Sequence, residues 1–180
     1  VEVFSWREAV VVVKQGNLVE ENVDAIVCPA NSFNHMRGGV AGVIRRQGGD
    51  VIEQEAMAKA PVPIGKAVIT TAGTLPARYV IHAPTMQMPV QRTTTDAVAK
   101  AVRAALCCAE ESNLHSISFP GMGTGTGWVP YEDAAEVMLL EIKHFLSEEN
   151  RNLGIINIVA YSELFYDVLI NTAQRIFKSE

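Results

Sequence analysis

Short runs of β-branched and apolar residues alternate along this chain with longer segments of helical periodicity, and that alternation restricts the fold more than any other feature. The extended runs lie at residues 9–14 (AVVVVK), 24–29 (DAIVCP), 66–72 (KAVITTA), 78–84 (RYVIHAP), 116–120 (SISFP) and 155–161 (IINIVAY). Several are apolar on both alternating faces, as strands must be when helices cover both sides of a sheet. Helices are expected over residues 40–59, with a break at Gly48-Gly49, and over 94–112, 131–148 and 163–177. Thr95 or Asp96 is placed to cap the second, and Pro130 stands near the first turn of the third, where its missing N–H does no harm. The order of elements reads as α/β, with a mixed or largely parallel sheet. The proline-containing stretches PVPIG and PTMQMPVQR read as surface connections.

Composition narrows the class of function. A chain of 180 residues with 48% hydrophobic and 19% charged content can close one sizeable core, so one compact domain over residues 1–180 is expected. The net charge of −5 leaves no broad basic footprint for duplex nucleic acid, and a charged ligand must be held by local backbone dipoles. Three cysteines, Cys28 and the adjacent Cys107 and Cys108, make neither a disulfide framework nor a C-x-x-C pair, which points to a reduced, cytoplasmic chain. No apolar run approaches the ~20 residues of a membrane span, and the opening VEVFSWREAVVVVK lacks the charge order of a signal peptide. No His/Cys/Asp cluster has metal-ligand spacing, so no metal and no cofactor are expected.

Two glycine-rich stretches each follow a strand and lead into a helix. The first is CPANSFNHMRGGVAGVIRR, residues 28–46, and the second is SFPGMGTGTGWVP, residues 118–130. Ligands of open α/β sheets bind beyond the carboxyl ends of the strands, where helix N-termini with free N–H groups suit phosphate. Gly121, Gly123, Gly125 and Gly127 are spaced G-x-G-x-G-x-G, which is neither the dinucleotide fingerprint nor a P-loop. Two such loops converging on one site would grip two phosphates, or the two sides of one pyrophosphate.

Taken in order, QGNLVEENVDAIVCPANSF, GGVAGVI, GKAVITTAGTLPARYVIHAP and SFPGMGTGTGWVP resemble the macrodomain family. The resemblance runs from about Gln15 to the C-terminal helix. It implies a three-layer α/β/α fold with a mixed, largely parallel central sheet, and ADP-ribose or ADP-ribosylated molecules as partners. Stand-alone members of the family often assemble, so a homo-oligomer is compatible with it.

By the same resemblance Asn17 and Leu18 fall where the family recognises adenine, and Asn17 replaces the usual Asp. Asn31 matches the ribose-contacting asparagine and is the candidate catalytic residue, which would orient the distal ribose. As an Asn after Pro-Ala it also fits an Asx turn. Gly38, Gly39 and Val40 match the first phosphate loop. Gly123, Thr124, Gly125, Thr126 and Gly127 match the second, where main-chain N–H groups would meet the pyrophosphate. Tyr161 matches the aromatic beside adenine.

Two further departures bear on chemistry. Arg37 stands where the family usually has glycine, and Ala41 stands where many ADP-ribosyl hydrolases carry Asp. Branches with Ala are nevertheless associated with hydrolysis, through water positioned against the substrate's own phosphate. The implied activities are hydrolysis of O-acetyl-ADP-ribose, ADP-ribose 1''-phosphate or mono-ADP-ribosylated protein. The alternatives are a non-catalytic reader of ADP-ribose marks and a binder of another adenine nucleotide or RNA. His35 is the one histidine near the proposed site; His82 reads as a core residue, His115 and His144 as helix-end or surface residues. Trp128 reads as a boundary residue packing on the following helix, with closure of the site's rim as the alternative, and Phe165 reads as core.

Overall fold

The structure, a computed structural model, describes residues 1–89, 91–148 and 152–178. Its strands are β1 (Glu2–Trp6), β2 (Ala9–Gln15), β3 (Ala25–Asn31), β4 (Val68–Thr71), β5 (Tyr79–Met86), β6 (Ser116–Phe119) and β7 (Ile155–Ala160). Its α-helices are α1 (Gly39–Gly48), α2 (Val51–Ala58), α3 (Thr95–Glu111), α4 (Tyr131–Leu146) and α5 (Glu163–Phe177), with a 3-10 turn at Leu18–Glu20. One sheet takes the order β1-β2-β7-β6-β3-β5-β4. The interior pairings β2–β7, β7–β6, β6–β3 and β3–β5 are parallel, and β1 and β4 add antiparallel edges. This is the mixed three-layer α/β/α architecture.

Alternation along β3 shows why the sequence takes three layers. Ala25 and Val27 enter a core shared with Ile81, Ile117, Phe119 and Ile158 under α3, α4 and α5. Ile26 and Cys28 enter a second core with Val80 and Val159 under α1 and α2. Each fully buried large side chain contributes roughly 1.5–3 kcal/mol relative to exposure, and a strand buried on both faces collects this from every residue. Burial also pushes the Cys28 thiol up to about 12, which leaves it without nucleophilic character.

The structure extends and corrects the sequence reading at particular places. β1 was not expected: EVFSW is short, its exposed positions Val3 and Ser5 do not read as an alternating polar face, and its hairpin turns at Arg7 with φ 55° rather than at a glycine or asparagine. The helix break at Gly48-Gly49 is present. The cap of α3 is Thr94, whose hydroxyl accepts from Ala97 N at 3.1 Å; Thr95 lies inside the helix, and Asp96 pairs with Lys100 at 3.1 Å. The stretch PTMQMPVQR begins inside β5, because Pro84 pairs with Ala30 beside a register shift; its Val90 lies outside the described residues. PVPIG is not wholly on the surface, since Val62 is buried and donates to Ser32 O at 2.7 Å.

His82 behaves as a core histidine. It is fully buried on β5, with Nε2 2.8 Å from Thr70 Oγ1. Burial, with the charge of Lys59 as a second cause, lowers its pKa to about 3. The folded protein therefore holds His82 neutral while the unfolded chain protonates it near the ordinary 6.5. Its contribution is complete above that value and is lost as pH falls from there toward about 3.

Two expectations follow from this architecture. Urea unfolding between about pH 7 and about pH 5 should show stability falling with acid by up to ~1.4 kcal/mol per pH unit from this group, and His82→Gln should flatten the slope. An unchanged slope would mean that His82 titrates alike in both states. Gly73 has φ 58°, and a Cβ there would lie 1.9 Å from Gly48 O, the carbonyl that ends α1 and accepts from Thr74 N at 3.0 Å. Gly73→Ala should cost about 2–4 kcal/mol in chemical denaturation, from left-handed strain plus displacement of that turn.

Candidate functional site

The parallel strands β3, β5 and β6 end at the same edge of the sheet, and the loops that leave them enclose a cavity of about 600 Å³. One wall is the β3–α1 connection, the facing wall is the β6–α4 connection, and Thr85, Met86 and Pro89 close the side between them.

Asn31, the last residue of β3, organises the first wall. Its Oδ1 accepts from Phe33 N at 3.1 Å and His35 N at 3.4 Å, and its Nδ2 donates to His35 O at 3.0 Å. The amide thus folds its own loop into an Asx-type turn while lining the cavity. Asn34, fully buried with φ 59°, donates from Nδ2 to Ala56 O at 2.8 Å, and Met36 N donates to Glu53 Oε2 at 2.6 Å. Both contacts fasten the loop to α2, so the chain enters α1 in a fixed direction. Gly38 caps α1 with no side-chain hydrogen bond. Gly42 N is the first amide of the helix to bond backward, to Gly38 O at 3.1 Å, so the amides of Gly39, Val40 and Ala41 have no partner among the described residues.

The second wall uses its glycines for two different reasons. At Gly121 a Cβ would lie 2.9 Å from the Phe165 ring, and at Gly127 it would lie 2.7 Å from Gly123 O. Gly123 has φ 78° and packs against Val98 and Thr93. These three are glycine because the protein itself leaves no room. Gly125 differs: nothing lies within 4 Å of a Cβ there, and its φ is not left-handed. Gly38 also has open space, with extended backbone at φ −143°. Neither packing nor conformation requires glycine at Gly38 or Gly125, and both line the cavity. The amides of Gly123, Thr124, Gly125, Thr126 and Gly127 have no hydrogen-bond partner among the described residues. The two walls therefore present rows of unpaired N–H dipoles to one space, an arrangement suited to an anion.

Most of the residues expected from the sequence meet here. Asn31, Gly38, Gly39, Val40, Gly123, Thr124, Gly125, Thr126 and Gly127 all line the cavity, with Ala41, Arg37 and His35. Asn17, Leu18 and Tyr161 do not. Asn17 caps the 3-10 turn by accepting from Val19 N at 3.3 Å, and Leu18 is buried in the core under α1 and α2. Tyr161, directly after β7, is 87% exposed. Pairing of Gln15 with Ala160, and Gly16 N donating to Ala160 O at 2.9 Å, place Asn17 and Tyr161 together on a shelf at the same edge of the sheet. Sequence reasoning missed Thr85, Met86 and Pro89, although the carboxyl end of a parallel strand is where a ligand is expected. Trp128 stands largely in solvent under Arg92 instead of packing on α4.

Among the lining residues Arg37 carries the one formal charge, His35 is the one imidazole, and no carboxylate is present. Burial raises the Cys108 thiol to about 11, and no group of His, Cys, Asp and Glu among the described residues is arranged to hold a metal ion. No described helix is long and apolar enough to cross a membrane.

Comparison with known proteins agrees with this geometry. A protein of Aquifex aeolicus (strain VF5), carrying no assigned function, is 51% identical over 133 residues, which is 74% of this chain and 81% of that protein. One from Pyrobaculum aerophilum, likewise uncharacterized, is 38% identical over 96% of this chain and 95% of its own. An Oceanobacillus iheyensis macrodomain mutant with ADPR superposes with a TM-score of 0.88 at 25% identity, covering 99% of both chains. A Trypanosoma brucei macrodomain in complex with ADP-ribose gives 0.81 at 29% identity, over 89% of this chain and 68% of that one. The sequence profile of the Macro domain matches residues 27–138, and the chain belongs to the macrodomain family.

Proposed function

We propose that the cavity binds ADP-ribose, with its pyrophosphate on the backbone amides of the two glycine walls. The observation that carries this reading is the pair Gly38 and Gly125, where glycine is required neither by the chain's conformation nor by its packing. A ligand in contact with the backbone accounts for both. A cavity of about 600 Å³ is of the size that holds a nucleotide-sized molecule. The adenine extends onto the shelf beyond the cavity, where the Tyr161 ring is free to stack with it for about 1–3 kcal/mol. Asn17 Oδ1, already accepting one hydrogen bond, keeps capacity to accept from the adenine amino group without the charge of the usual Asp. Leu18 fixes the turn beneath. The distal ribose lies toward Asn31, His35 and Arg37. The unit is proposed to comprise residues 1–180, since β2 and α5 lie outside the matched region yet complete the same sheet and core.

Turnover of an ADP-ribose ester is the second reading. With Ala41 on the wall and no carboxylate among the lining residues, a protein-borne carboxylate base is not at hand. Hydrolysis then rests on a water held between the substrate's own phosphate and the first loop, with His35 beside it. Asn31 supports such a water through the loop shape that its amide imposes.

Calorimetric titration with ADP-ribose, AMP, NAD and a short adenine RNA should give micromolar binding selective for ADP-ribose. Gly125→Glu should weaken it by about a hundredfold or more, since the new carboxylate fills the open space and repels phosphate. Retained affinity in that variant would place the pyrophosphate elsewhere. Asn31→Ala should weaken ADP-ribose binding and remove turnover of O-acetyl-ADP-ribose together, because it releases three loop hydrogen bonds. Loss of turnover at undiminished affinity would instead assign Asn31 a direct role in the reaction.

A further inference from the structure

The mouth of the cavity carries Trp128, Arg92, Phe33 and Met88, which stand outside its lining. Trp128, directly after the second glycine wall, is 70% exposed and has φ 64°, a conformation rare for a bulky residue. The turn is fixed by Trp128 N donating to Gly125 O at 3.2 Å and Val129 N donating to Gly123 O at 3.0 Å. Neither burial nor turn geometry accounts for an indole there, because asparagine or glycine would make the same turn with less strain. The Arg92 guanidinium lies 5.3 Å from the Trp128 ring centroid, and Thr93 N donates to Gly127 O at 3.0 Å, which holds this pair against the wall.

The first wall carries a matching set. Phe33 is 42% exposed and stacks on His35 with ring centroids 6.4 Å apart, and His35 and Arg37 both line the cavity. Ser32 N donates to Met86 O and Gln87 O, which brings Met88, 54% exposed, to the same lip. Among the described residues neither Arg37 nor Arg92 has a carboxylate within ion-pair distance. Aromatic residues, Met and Arg are the side chains enriched where proteins meet other polypeptides, and Trp and Arg are the commonest energetic anchors there.

We infer that this rim is a docking surface for an acidic polypeptide segment to which the ADP-ribose is attached. The inference rests on the ADP-ribose reading of the cavity. The Arg92 guanidinium, outside the cavity lining and without a carboxylate partner among the described residues, on a protein of net charge −5, is complementary to an acidic chain, and Arg37 extends that positive charge to the cavity's edge. The ADP-ribosyl group enters the cavity, and the residues on either side of the modified position rest on Trp128 with Arg92 and on Phe33 with Arg37. Met88 supplies an adaptable apolar contact at the lip.

The test compares four probes on the full chain: free ADP-ribose, an acidic peptide carrying it through a hydrolysis-resistant linkage, the same conjugate with lysine flanks, and an oligonucleotide with a terminal ADP-ribose. The acidic conjugate should bind about tenfold tighter than free ADP-ribose. Trp128→Asn, which keeps a residue suited to the left-handed turn, and Arg92→Gln should each remove most of that gain while leaving free ADP-ribose within about twofold of the parent. Thermal unfolding of Trp128→Asn at or above the parent's midpoint shows that the turn is intact. Equal affinity for free and peptide-borne ADP-ribose, equal affinity for acidic and lysine-flanked conjugates, or tighter binding of the oligonucleotide conjugate overturns the docking surface while the cavity reading stands. Failure to bind any probe, free ADP-ribose included, overturns both.

Discussion

Parallel pairing is the constraint on which the rest of this structure depends. Strands β2, β7, β6, β3 and β5 run the same way, so their chains must leave the sheet at one edge and cross back, through helices after β3, β5 and β6 and through the 3-10 turn after β2. The loops crowded at that edge cannot all satisfy their backbone groups with one another. β3 leaves into a loop held by its own asparagine, β6 leaves into a loop of closely packed glycines, and each exposes a row of amides. The unpaired donors thus follow from the topology, and the glycines at Gly38 and Gly125 keep the approach to them open.

For an acidic protein to receive the proposed anion, the field that holds it must act over a short range. Repulsion from scattered carboxylates is screened beyond about 8 Å at physiological salt, whereas amide dipoles in contact with a phosphate are not. The absence of carboxylates among the lining residues removes the one local term that would oppose them. Preorganisation does the rest. Asn31, Asn34 and Glu53 hold the first loop, and Thr93, Val98 and Phe165 confine the second. The donors therefore stay in place without a ligand to gather them, which lowers the ordering cost of binding.

The sequence made the sheet and helices legible because burial on both faces leaves an unambiguous pattern in strands such as IVC and IINIVA. It left β1 unread because an edge strand is buried on only one face, and a hairpin turning at Arg7 has no glycine or asparagine to mark it. The glycine loops were visible as motifs, but their glycines look alike in sequence. Only neighbouring atoms separate Gly121, Gly123 and Gly127, excluded by Phe165, Val98 and the loop itself, from Gly125, which faces open space. Thr85 and Met86 were unread because β5 outran the expected strand end past Pro84, and a proline within a strand normally argues for its end. The preferred packing of Trp128 on the helix failed for a related reason: a large apolar residue before a helix is expected to pack, and its left-handed backbone turns it outward.

Asn31 shows how shape and chemistry become inseparable in such a site. Its carbonyl oxygen is shared between two loop amides, and one of its N–H groups serves His35 O. The loop leaves the second N–H unconsumed, on a side chain that lines the cavity. Aspartate at this position would lose the donor to His35 O and place an anion beside phosphate, and serine would be too short to span the loop. The amide satisfies a buried turn and would still have a neutral donor for the proposed sugar hydroxyl, so the residue that a folding argument selects is also the one that the proposed binding would use.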